Sequence, residues 1–168
     1  MRHALGKNHS FLLHTLSFPG RIPYDVAVLR FVLDTNVVVA GLRSPSGASA
    51  ALLRAGRHRH VTLLANVAMA FEYEAVCVLP EHQEAAGLSE QDVETFLNAV
   101  VAILEPVESH FLWRPYLLDP NDEMVLEAAV NGRANAIMTF NARDYGNVPQ
   151  TFGIDVLTSA QAVRRLRA

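Results

Sequence analysis

The sequence is poor in several residue types, and each scarcity closes off a class of protein. It holds one cysteine, Cys77, in 168 residues. That leaves neither a disulfide framework nor a cysteine-based zinc cluster, and it is compatible with a reducing compartment. Long apolar runs are missing. Those present, such as Val37–Ala40 and Ala99–Leu104, fall far short of the roughly 18 residues a membrane span requires, so no membrane partner is expected. Positive charge is not in excess: the formal net charge is −3, and of the 14 basic residues only Lys7 is a lysine. Any handling of nucleic acid therefore has to run through a local patch or through bound cations. There is no G-x-G-x-x-G, no Walker A loop and no H-E-x-x-H, which removes the usual phosphate-loop and zincin signatures. Internal repeats and low-complexity segments are also lacking.

What is present is core material. The chain is 51% hydrophobic and 18% charged, which suits one folded domain and excludes intrinsic disorder. Residues 1–29 differ from the rest. They hold His3, His9 and His14, Pro19 and Pro23, and the lone lysine. The Phe11–Leu16 run is too short for a signal-peptide core and no small-residue cleavage site follows it. This stretch reads as an N-terminal extension, disordered or loosely packed, with a partner-binding arm or a mis-assigned start as the alternatives. The pattern of a fold begins at Arg30, so the expected domain spans residues 30–168.

From Arg30 onward, apolar strands and amphipathic helices alternate. Arg30–Asp34 reads as a buried strand ending in an acid. Ala48–Gly56 reads as a helix with Gly56 as its stop, and Val61–Leu64 as a second strand. Asn66 caps a helix running to about Leu79, and Ser89 with Asp92 opens another carrying Val93, Leu97, Val100 and Leu104. Pro106–Trp113 is expected as a third strand, Pro120–Asn131 as a helix, Ala136–Phe140 as a fourth strand and Ile154–Leu157 as a fifth. Thr158 with Gln161 caps a last helix. This alternation predicts a three-layer α/β domain with a central parallel β-sheet flanked by helices.

In such sheets functional groups collect at the C-terminal ends of strands. Asp34 ends the first strand; Asn141 and Asp144 follow the fourth. Asp119 and Asp122 open the helix before it, and Glu72 and Glu74 lie in an otherwise apolar helix. Right-handed crossovers bring such segments toward one edge. Converging carboxylates repel one another unless they share protons or bind cations. Magnesium or manganese, with oxygen ligands and retained waters, is the natural compensation, and phosphodiester hydrolysis is the chemistry that most often uses it. Taken singly, each acid also has a plainer role. Asp119 suits a cap before Pro120, and Asp122 a favourable charge at a helix N-terminus. Glu72 and Glu74 are about 200° apart on a helix and cannot both face one site.

Four segments, in order, resemble the motifs of PIN domains. Val32-Leu-Asp34-Thr-Asn36 is similar to their opening motif. Phe71-Glu72-Tyr-Glu74 resembles the helix of the second acid. Asp119-Pro-Asn-Asp122-Glu-Met-Val-Leu-Glu127 resembles the third motif, and Ile137-Met-Thr139-Phe-Asn141-Ala-Arg-Asp144 the fourth. The nearest branch is that of bacterial VapC-like toxins of toxin–antitoxin systems. The resemblance implies a cytoplasmic, metal-dependent endoribonuclease using Mg2+ or Mn2+ on an RNA substrate, with a cognate antitoxin as partner and a homodimer as the assembly. It implies Asp34, Glu72, Asp122 and Asp144 as catalytic, metal-binding acids, with Glu74 the alternative register to Glu72. Asn36 and Thr139 correspond to polar positions that orient the acids. Many PIN domains have Asp where this chain has Asn141, which keeps an oxygen and drops a charge. A catalytically weakened RNA- or protein-binding module is the competing expectation. Arg43, Arg54, Arg57, Arg59 and Arg143 are the candidate substrate contacts.

Overall fold

The computed structural model describes residues 28–112 and 114–168; the expected N-terminal extension lies almost wholly outside them, as does Trp113. Five strands form one sheet in the order β3-β2-β1-β4-β5, and every neighbouring pair is parallel. They are β1 (Arg30–Leu33), β2 (Thr62–Ala65), β3 (Leu104–Pro106), β4 (Ala136–Met138) and β5 (Asp155–Leu157). The central strand reads as a continuous apolar run because both its faces are covered. Phe31, Val32 and Leu33 are at most 1% exposed, and Phe31 pairs with Leu63 on one side and Ala136 on the other.

Among the described residues eight helices connect and flank the strands, giving a three-layer α/β fold. They are α1 (Thr35–Arg43), α2 (Ala48–Arg57), α3 (Val67–Cys77), α4 (Pro80–Ala86), α5 (Glu90–Val101), α6 (Glu123–Asn131), α7 (Val148–Phe152) and α8 (Ser159–Arg167). α6 lies across β1, β2 and β4, while α1 packs with α2, α3 and α4, and α2 with α8. The expected caps form. Asn66 accepts from the Met69 amide at 3.0 Å, and reciprocal capping boxes at Ser89/Asp92 and Thr158/Gln161 open α5 and α8.

Several expectations need correcting. The third strand is not Pro106–Trp113 but Leu104–Pro106; residues 107–112 carry no strand. His110, Phe111, Arg114, Tyr116 and Leu117 are held instead by α6, whose Glu123, Glu127 and Asn131 recur every four residues and so share one face. Glu123 Oε1 accepts from the Leu117 amide (2.8 Å) and the Tyr116 amide (2.5 Å). Glu127 takes the Arg114 guanidinium in two bonds of 2.6 and 3.0 Å. Asn131 Oδ1 accepts from the His110 and Phe111 amides at 3.1 and 3.0 Å. A polar ladder on a helix thus replaces a strand neighbour. α1 was not expected as a helix at all. Gly56 does not stop α2, which continues to Arg57. A Cβ there would lie 2.5 Å from Leu63 Cδ1, so glycine is needed for close approach to β2. α6 starts at Glu123, not Pro120, and Asp122, not Asp119, is its N-cap. Asp119 Oδ1 accepts the Asn121 amide at 2.9 Å in a turn before the helix.

Candidate functional site

β1 is the strand from which the sheet grows in both directions, so the C-terminal ends of β1 and β4 flank a topological switch point, where open α/β sheets place their sites. Asp34 sits there. Its amide donates to the Met138 carbonyl at 2.9 Å, extending the β1–β4 ladder by one bond. Its side chain is 6% exposed. The Thr139 hydroxyl and the Asn36 side-chain amide both donate to Asp34 Oδ2, each at 2.6 Å. Asn36 Oδ1 in turn accepts the Phe140 amide at 3.2 Å, and Thr139 Oγ1 accepts the Asn141 amide at 2.9 Å. Burial pushes the Asp34 carboxyl above its ordinary range; the donations from Thr139 and Asn36 pull against that without cancelling it.

α3 brings the second acid. Tyr73, fully buried, donates its hydroxyl to the Leu33 carbonyl and ties α3 to the end of β1. The adjacent Glu72 then faces the same cleft, half-buried, while Glu74 points to solvent. Burial, with Asp34 and Asp119 nearby, raises Glu72. The third acid, Asp122, is the N-cap of α6, yet its side chain caps nothing. An N-cap carboxylate normally accepts an amide of the first turn; this one faces the cleft instead. Burial first, then Asp34, Asp119, Asp144 and Glu72, push it up to about 7.

Asp34, Asn36, Glu72, Asp119, Asp122 and Asn141 thus line one open cleft of about 640 Å³. Thr139 lies beneath it, fully buried. Asp144, in a 3-10 turn at Ala142–Tyr145, lines an adjacent hollow with Tyr116 and Arg143 and reaches Asp122 electrostatically. Of the candidate substrate arginines, only Arg43 lines the acidic cleft. Arg54 donates to the Pro45 carbonyl at 2.7 Å, and Arg57 and Arg59 border a separate hollow. Sequence reasoning missed several of the cleft residues. Among them are His82 on α4, and Asn121 and Phe140, which lie within the third and fourth motif segments without having been singled out; Phe140 carried a signal as a large aromatic at the end of the expected fourth strand.

Among the described residues no three His, Cys, Asp or Glu side chains are close enough together to hold one ion. The donor set nevertheless suits a hard cation bound through one or two carboxylates with retained waters and a substrate phosphate, because every donor is oxygen and the acids carry uncompensated negative charge. No membrane-crossing helix, long and apolar enough, occurs among the described residues.

The family model described as PIN domain matches residues 30–143. Among solved structures the chain is similar to the crystal structure of VapBC2 from Rickettsia felis bound to a DNA fragment from their promoter. The TM-score is 0.52 at 13% identity, covering 76% of this chain and 97% of that one. At that identity the likeness concerns the fold. No curated protein matches the chain.

Proposed function

We propose, for a chain that belongs to the PIN domain family, the activity of a metal-dependent endoribonuclease. The observation that carries this reading is the meeting of carboxylates from β1, α3 and α6 in one cleft, where burial and then the neighbouring acids push Asp122 up to about 7. One or two of Asp34, Glu72 and Asp122 would hold Mg2+ or Mn2+ directly and the others through its retained waters, with Asp144 as an outer carboxylate acting on Asp122. Such an ion supplies charge neutralisation for a phosphodiester and activation of a water for attack. The protein's own part is orientation. Thr139 and Asn36 engage Oδ2 of Asp34 and fix the plane of its carboxylate. Asn36 also fixes the loop after β4 through the Phe140 amide.

A toxin role with a cognate antitoxin is supported by the fold shared with the VapBC2 structure and by the resemblance of the motifs to those of VapC-like toxins. A homodimer is supported by α3, which is apolar on nearly all sides. Its Val67 and Phe71 are 69% and 67% exposed and lie four residues apart on one face. Asn141 in the cleft wall supports a second reading, a weakened module that binds RNA or protein without turnover.

Thermal melts and RNA cleavage assays in chelator, magnesium and manganese separate the two. A ligand that binds only the folded state raises its melting temperature. Both metals are expected to do so and to switch on cleavage, manganese more strongly by the usual affinity order. Stabilisation without cleavage across a broad RNA panel favours the module. Cleavage that persists in chelator defeats the metal mechanism.

A further inference from the structure

Two residues of the acidic cleft have no structural work to do there. Phe140 follows a strand whose three residues are fully buried, yet it is 53% exposed and lines the cleft. Its position is not loose, because its amide is held by Asn36 Oδ1 at 3.2 Å, and the same Asn36 grips Asp34. Arg43, at the far end of α1, is exposed and shares the cleft with Asp34, Glu72, Asp119 and Asp122. It forms an ion pair with none of them: Arg30, Arg114 and Arg165 are the arginines paired among the described residues. An uncommitted guanidinium beside uncompensated carboxylates is free for a phosphate. The nine residues of α1 set Arg43 about 13.5 Å along the helix axis from Asp34, so it meets a phosphate other than the one at the acids.

We infer that Phe140 is a stacking platform for an unpaired nucleobase beside the scissile phosphate, and that Arg43 anchors a neighbouring phosphate of the same strand. This rests on the nuclease reading and specifies its substrate. In a duplex both faces of each base are covered by neighbours; an aromatic side chain can stack only on a base that is splayed out. The platform stands next to Asp34 through one shared residue, Asn36, so the stacked base belongs to the nucleotide flanking the bond to be cut.

The test uses a uridine pentaribonucleotide with 2-aminopurine at its centre, titrated in calcium, a hard oxygen-seeking cation offered in place of magnesium. Wild type is expected to quench the fluorophore on binding. Phe140→Trp should retain the quench. Phe140→Leu should lose it and bind about 5- to 100-fold more weakly, with a melting temperature near wild type because the ring is half exposed. Arg43→Gln should keep the quench and lower the slope of log affinity against log salt by about 0.7. Annealing the oligonucleotide to its complement should abolish the quench. Absence of quenching by wild type, equal quenching by Phe140→Leu, or equal quenching of the duplex overturns the platform; an unchanged salt slope overturns the anchor. Cleavage of the same oligonucleotide in magnesium or manganese is scored separately. Cleavage by wild type with Phe140→Leu unimpaired in binding sinks this inference alone. Quenching with no cleavage of this oligonucleotide or of the broad RNA panel under any metal leaves the platform standing and sinks the nuclease reading.

Discussion

Thr139 donates its hydroxyl to Asp34 Oδ2 at 2.6 Å, across the gap between the two strands that diverge at the centre of the sheet. Thr139 is fully buried and its own amide is bonded to the Leu157 carbonyl of β5 at 3.0 Å. The orientation of the central acid is therefore fixed by three adjacent strands.

Asp34→Asn is expected to abolish metal-dependent cleavage while leaving the fold intact. The change is nearly isosteric and removes a buried charge among like charges. In chelator the melting temperature should hold or rise. A marked fall would make Asp34 a structural residue.

Metal-free protein should be most stable at mildly acid pH. Asp122 is raised to about 7, and Asp34 and Glu72 are raised above their ordinary values of 3.8 and 4.5. A carboxyl whose folded pKa exceeds its unfolded value favours the fold when protonated. That stabilisation is lost as pH rises through the folded pKa, here around 7 for Asp122. Melts in chelator between about pH 5 and 8 should show the midpoint falling with rising pH, and magnesium should flatten the trend. A midpoint that rises with pH would contradict the electrostatics of the cleft.

Arg114→Ala should destabilise the chain by roughly 1.5–3 kcal/mol, because it leaves a buried carboxylate without its bidentate partner. The Glu127 side chain is 4% exposed and that of Arg114 53%, so the loss comes mainly from stranding the glutamate. Arg114→Ala combined with Glu127→Met should recover part of it. Denaturant titration measures both; a double variant worse than the single would refute the account.

Tyr145→Phe should be neutral or stabilising by about 1 kcal/mol. The Tyr145 hydroxyl is buried without a hydrogen-bond partner among the described residues, and an unsatisfied buried hydroxyl is costly. Asp34, Asp122 and Asp144 lie near enough to add to burial in raising its pKa. A clear loss of stability would mean that the hydroxyl is bonded through an ordered water.

The place of Asp34 was legible from the sequence because a short apolar run ending in an acid puts that acid at the end of a strand; helix geometry said only that Glu72 and Glu74 cannot share one site, and the resemblance to the PIN motifs chose Glu72. α1 was not legible. Its Val37-Val-Val39 run favours strands locally, and the helix is stabilised by tertiary packing, with all three valines at most 7% exposed. β3 was misplaced because Ala99–Leu104 is continuous in hydrophobicity, so nothing marks where α5 ends. The segment after it is ordered by Glu123, Glu127 and Asn131, residues that read locally as one polar face of a helix. Nor does any local pattern show that Asp122 would leave the α6 amides uncapped to face the cleft, or that Asp144 would turn into the next hollow.

The strand order also sets a schedule. β1 is made first, but its neighbour β4 begins at residue 136, and Asp34 meets Thr139 over a separation of 105 residues. A nascent chain still carrying only its first 130 residues holds Asp34 with neither Thr139 to orient it nor the loop of Phe140 and Asn141 to close the wall. A product of translation stalled before residue 136 therefore lacks an assembled cleft, and with it whatever chemistry the cleft performs.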